Sequence, residues 1–204
     1  MAKHDADRLA IHALIENWVV WRDARMWDRF RTLWHKDGQM WATWFQGSYE
    51  EFIAVSQDGH DHGARISHTL GGISIDIKGK RAIGQCKITI TQRATVEGIL
   101  CDVTCQGRAY DFIEKRKDPK HKSRWGIVLR RYAYERDRID PVDHGAKLKL
   151  DPKLLAQYPE GYRHLAYLQA KNGFTVKRDL PGLEGLELDA LYAKGEAWLK
   201  GKKL

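Results

Sequence analysis

The stretches ISIDIK (73–78), AIGQCKITITQRAT (82–95), ILCDVTCQGRAYDFIEKR (99–116) and SRWGIVLRRYAYERDR (123–138) alternate apolar and polar side chains with a period of two. Successive side chains of a strand point to opposite faces, so this pattern predicts four strands, each with one face buried. The breaks between them are short: Lys78-Gly79-Lys80, Glu97-Gly98 and a basic run at 114–124. Strands joined this closely must pair antiparallel. Strands of this length twist and curl, and helices laid on the concave side would close a cone around one deep apolar pocket. The expected fold is α+β, a curved antiparallel sheet forming a cone with N-terminal helices packed on its concave face.

Upstream of the strands, Leu9, Ile11, Leu14, Ile15, Trp18, Val19 and Trp21 recur close to the helical period and predict a largely buried helix over 7–22. A second helix is expected from Trp27 to Trp34, ended by Lys36-Asp37-Gly38, and QMWATWFQG (39–47) reads as a strand. Ser48 and Glu51 have the spacing of a capping box and open a third helix. Beyond Ile139 the alternation stops at DPVDHG, and helical segments follow near 151–158, 159–172 and 187–200. The chain thus divides into a cone domain over 1–140 and a helical extension over 141–204, serving as a lid or a subunit contact. The extension carries Leu154, Leu155, Tyr162, Leu165, Tyr167, Leu168, Leu191, Tyr192 and Trp198, too many apolar groups for water and too few for a core. A homo-oligomer, dimer or trimer, is expected, held through the sheet's outer face or through this tail.

Composition narrows the function classes. The net charge is +8 over 204 residues, but the basic groups are spread from Lys3 to Lys203. The densest run, EKRKDPKHKSR, sits between two strand patterns as a solvated loop, so no nucleic-acid partner is expected. No apolar stretch approaches the roughly 18 residues of a membrane span, and the charged start, MAKHDADRLA, is unlike a signal peptide. No membrane partner and a cytoplasmic location are the expectation. Cys86, Cys101 and Cys105 lie within predicted strands without CxxC spacing and read as reduced core residues. His60, Asp61 and His62 lack a third ligand at a recognisable spacing, so no metal is expected. Neither GxSxG nor GxxxxGK occurs, and no cofactor is expected.

The chemistry-bearing candidates are Asp23, closing the first helix, and His68, opening the run of strands in HTLGGISIDI. An imidazole with a carboxylate to fix its tautomer is the minimum apparatus for taking a proton from carbon. Trp18, Trp21, Trp34, Trp41 and Trp44 offer walls for a hydrophobic or aromatic small molecule. Strand alternation sends one of Arg130 and Arg131 into the cone and the other to solvent or a subunit contact.

The segments WRDARMWDRFRTLWHKDG, HTLGGISIDI and WGIVLRRYAYERDRIDP, spread across residues 6–140, resemble the SnoaL-like branch of the nuclear transport factor 2 superfamily. That resemblance implies the α+β cone. It places this chain beside dehydratases, a hexachlorocyclohexane dehydrochlorinase, isomerases, polyketide cyclases and members that only bind. By similarity to the dehydrochlorinase and dehydratase members, Asp23 and His68 would form a catalytic pair. Arg130, five residues after Trp125, would meet the leaving group or oxyanion. Where the dehydrochlorinase has a lysine, this chain has Trp18, so dehydrochlorination itself is not implied. The implied function is a cofactor-independent lyase of dehydratase type acting on a bulky aromatic or polycyclic molecule. Isomerisation, polyketide-type cyclisation and simple ligand binding are the alternatives.

Overall fold

A computed structural model describes residues 5–119 and 123–204. Part of the predicted basic loop, and the first four residues of the charged start, lie outside the described residues. The helix α1 (Asp5–Asp23) buries Ile11, Ile15, Trp18, Val19 and Arg22, one stripe at helical spacing. Trp21 falls on its flank. The helix ends where Arg25 takes a left-handed φ of 58° and the Met26 amide reaches back to the Trp21 carbonyl at 2.7 Å. This turn leaves Asp23 at the tip of the helix. The capping box at Ser48 is present and starts α3 (Tyr49–Asp61), with the Ser48 side chain accepting from the Glu51 amide.

Six strands form one sheet in the order β2-β1-β6-β5-β4-β3: β1 (Trp34–Trp41), β2 (Gln46–Ser48), β3 (Arg65–Lys78), β4 (Arg81–Val96), β5 (Ile99–Arg116) and β6 (Arg124–Pro141). The four long strands pair antiparallel in sequence order, as the alternation predicts. Glu97 and Gly98, with φ of 48° and 80°, make the tight hairpin between β4 and β5.

Three local expectations change. The second helix, α2 (Trp27–Arg31), stops short of Trp34, because the chain there enters β1 and pairs parallel with β6. The ladder bonds from that pairing outweigh the helical spacing of Trp27, Phe30 and Trp34. Residues 39–47 are not one strand: the Ala42 amide bonds to the Phe45 carbonyl at 2.7 Å and folds the segment into a hairpin. His68 lies inside β3 rather than ahead of it, paired with Ile90.

The extension folds back on its own chain. A 3-10 turn at Glu160–Tyr162 and α5 (Arg163–Lys171) follow α4 (Pro152–Leu155) and pack on the main core, burying Tyr162, Leu165, Tyr167 and Leu168. The helix α6 (Leu186–Leu199) crosses to the opposite face of the sheet, where Leu191 and Trp198 cover Ile83, Tyr110, Phe112, Val128 and Leu129. The tail's apolar residues singled out from the sequence are therefore buried or half-buried within one chain, while Phe174, Leu183 and Leu186 stay exposed. The seat of α6 depends on Gly195, where an added Cβ would collide with the Tyr110 phenol, 2.9 Å from its Cζ. Gly195→Ala should cost about 1–3 kcal/mol, read from urea unfolding. An unchanged midpoint would mean that α6 does not press on the sheet there.

Candidate active site

Asp23 at the end of α1 and His68 in β3 meet across the inner face of the sheet. The Asp23 carboxylate takes two hydrogen bonds from this one residue: His68 Nδ1 lies 2.7 Å from Oδ1, and the His68 backbone amide donates to Oδ2 at 2.6 Å. An ionised carboxylate only accepts, so Nδ1 carries the proton and Nε2 holds the free lone pair. Trp18 stands edge-on to the imidazole at 5.4 Å and 87°, fixing its plane. Burial, followed by the nearby Arg22 charge, pushes His68 down to about 4 despite the opposing pull of Asp23. Burial would raise Asp23, but the hydrogen bonds and charge of His68, with Arg22, hold it below its ordinary value. The pair rests as neutral imidazole and carboxylate at neutral pH.

His68, backed by Asp23, opens on a narrow chamber of about 50 Å³, lined also by Trp18, Arg22, Met40, Thr43, Trp44, Tyr132, Tyr134 and Gln169 among others. A larger vestibule of about 480 Å³ adjoins it, with Arg22, Trp44, Ile66, Gln92 and Gln169 lining both. The extension supplies part of this boundary: Gln169 of α5 accepts from the Thr43 hydroxyl at 2.7 Å, and Phe174 packs on Trp44 at 4.8 Å.

The other residues singled out from the sequence separate. Arg130 points to the inner side of the sheet, as alternation requires, but it does not line the chamber. It is fully buried behind Trp18, with its guanidinium carbon 4.1 Å from the indole centroid. There it makes two 2.6 Å bonds to the equally buried Asp111. Burial works against its charge, yet Asp111 holds Arg130 above the ordinary arginine value. Arg131 packs over Trp41 at 5.3 Å and lines neither cavity.

Of the five tryptophans, Trp18 and Trp44 line the chamber. Trp34 is buried against Tyr49, stacked at 5.7 Å, while Trp41 is turned outward by the alternation that points Met40 inward. Trp21 lies on the flank of α1, one position off the stripe that buries Trp18 and Arg22.

Arg22 was not singled out by sequence reasoning. Its signal was present: Ile11, Ile15, Trp18 and Arg22 continue one helical face, so an arginine was being carried into the core. His60 was weighed only as a metal ligand, and it is a buried wall of the vestibule. Cys86, Cys101 and Cys105 are buried and free. Among the described residues, no group of three His, Cys, Asp or Glu side chains gathers as a metal site, and no helix is long and apolar enough to cross a membrane.

Known proteins share this architecture. A protein assigned as a scytalone dehydratase from Novosphingobium aromaticivorans superposes with a TM-score of 0.54 at 15% identity, over 71% of this chain and 96% of that one. The hexachlorocyclohexane dehydrochlorinase LinA-type3 from Novosphingobium barchaimii gives 0.55 at 14%, over 72% and 96%. At these identities the likeness is one of fold. In sequence, an uncharacterized protein of Emericella nidulans is 37% identical over 97% of this chain and 88% of its own length. Pea pathogenicity protein 2 of Fusarium vanettenii is 35% identical over the same shares, 97% and 88%. The model of the SnoaL-like domain matches residues 4–138, and with relatives of this identity along nearly its whole length, the chain belongs to the SnoaL-like domain family.

Proposed function

We propose that the protein is a cofactor-independent lyase of dehydratase type, in which His68 removes a proton from carbon next to a carbonyl and Asp23 orients the ring and stabilises the imidazolium that forms. The observation that carries this reading is the Nδ1 contact to Asp23 at 2.7 Å, which leaves Nε2 free at the chamber. As the C–H bond breaks, its electron pair forms the enolate. Loss of the β-hydroxyl then completes the double bond, and the proton on Nε2 leaves with that oxygen as water. The chamber is too small for a bulky ring, so the reacting end alone enters it while the aromatic body occupies the vestibule, alongside the packed pair Trp44 and Phe174. The rest of the SnoaL-like fold serves as a small-molecule-binding frame.

Aromatic β-hydroxy ketones and β-hydroxy acids incubated with the protein in D2O test the proposal. Deuterium should enter the α-carbon and a conjugated alkene should accumulate; exchange with a shifted double bond or a closed ring would mean isomerisation or cyclisation by the same base. The small chamber favours one rival, a ligand held wholly in the vestibule without reaction. Binding with no exchange into any ligand would establish that rival.

The pH dependence follows from the state of the pair. A base must be neutral, so kcat/KM should hold level from neutrality downward and fall tenfold per pH unit only below about 4, where His68 protonates. Asp23, Arg22 and Arg130 are the charged groups acting on it. Removing the Arg22 charge should move that acid limb upward, and a limb near 6.5 in the native protein would contradict the burial of His68.

A further inference from the structure

Arg22 has the position of a ligand-binding group and few polar partners, its guanidinium lying over the Trp18 and Phe52 rings at 6.0 and 5.8 Å. It is 4% exposed, its Nε is buried without a hydrogen-bond partner, and its contact with Asp23 is long, at 3.4 Å. Arg130, by contrast, is held by two short bonds to Asp111 through Nε and one terminal nitrogen, leaves only its other terminal nitrogen unpartnered, and lines neither cavity. An arginine does not give up its proton inside a protein, so Arg22 holds a full positive charge at the junction of chamber and vestibule. Ser56 in α3 is also buried with its Oγ unpartnered, and His60, one turn further along the same helix, lines the same vestibule wall. Unpaired buried donors cost stability unless a ligand uses them.

Resting on the lyase reading above, we propose that the substrate is an aromatic acid whose anionic group, a carboxylate or phenolate, is held by Arg22 with Ser56 in support, one end of the ligand facing His68 and the ring lying along the vestibule. A planar guanidinium is matched to a carboxylate, and exclusion of water strengthens the bond. The same contact tunes the base. Arg22 is the second largest influence lowering His68, so an anion that neutralises it makes the imidazole a stronger base only when substrate is bound.

Calorimetric titration of the full chain with trans-cinnamate and with cinnamamide, equal in size and differing in charge, tests the assignment. The native protein should bind cinnamate at least tenfold more tightly. Arg22→Met should bring the two affinities within twofold of each other, Arg22→Lys should retain part of the preference, and Ser56→Ala should weaken cinnamate a few-fold. His68→Ala should keep the preference. Equal affinities in the native protein overturn the assignment, as does a preference that survives Arg22→Met; if that variant fails to fold, an undiminished preference in Arg22→Lys overturns it instead. The two readings fail separately. An Arg22-dependent preference without proton exchange removes the base and leaves the anion site, whereas His68-dependent exchange without a preference for the anion does the reverse.

Discussion

His68→Ala should abolish deuterium incorporation into any substrate of the native protein, a loss of about 10²- to 10⁴-fold, the range a positioned general base supplies. The fold should survive, because the second bond to Asp23 comes from the backbone amide of residue 68 and does not depend on its side chain. Circular dichroism and the unfolding midpoint check that survival. Asp23→Asn removes the charge that the imidazolium needs as it forms, so it should lower kcat far more than it raises KM. Near-native exchange in His68→Ala would assign the chemistry to another group of the chamber, with Tyr132 and Tyr134 the next to test.

Arg130→Met should be the most destabilising single change considered, by about 3–5 kcal/mol, because it leaves Asp111 charged and fully buried with no counter-ion. Asp111→Asn should cost a similar amount for the converse reason. The double change Arg130→Met with Asp111→Leu should recover most of that loss, since a buried ion pair replaced whole by apolar groups is often neutral in stability. Unfolding in urea gives all three values, and the excess of the singles over the double measures the coupling. The recovered double variant should also retain ligand binding, because Arg130 does not line the chamber and touches its wall only at the back of the Trp18 ring. If Arg130→Met kept its stability and lost turnover alone, Arg130 would reach the substrate, as its resemblance to the family's arginine implied.

Much of this molecule was legible without tertiary structure. The antiparallel order of β3 to β6 follows from alternation and from hairpins such as Glu97-Gly98, and the start of α3 follows from Ser48 and Glu51. These features arise between residues close in sequence, where spacing alone decides which groups meet. The residues of the pair were also legible, since a carboxylate and an imidazole stood out in apolar surroundings and matched a family motif. Their meeting was expected from that resemblance and not from spacing, because it depends on how the tip of α1 lands on a strand 45 residues further along.

The same limit explains the misplacements. Alternation sends one of Arg130 and Arg131 inward and the family resemblance favours Arg130, but only the packed core could show it held by Asp111 behind Trp18. The parallel pairing of β1 with β6 redirected Trp34 and Trp41, and nothing near them in sequence announces that pairing. The apolar face of the tail read as an interface because its partner, the outer side of the sheet around Tyr110 and Leu129, is assembled from strands distant in the chain. The sequence by itself determined the first helix, the four long strands, the start of α3 and the chemical types available. Tertiary structure decided which buried charge lines the cavities, because inside a core that depends on the neighbours of each group: Arg130 is bound by both oxygens of Asp111, while Arg22 keeps one long contact to Asp23.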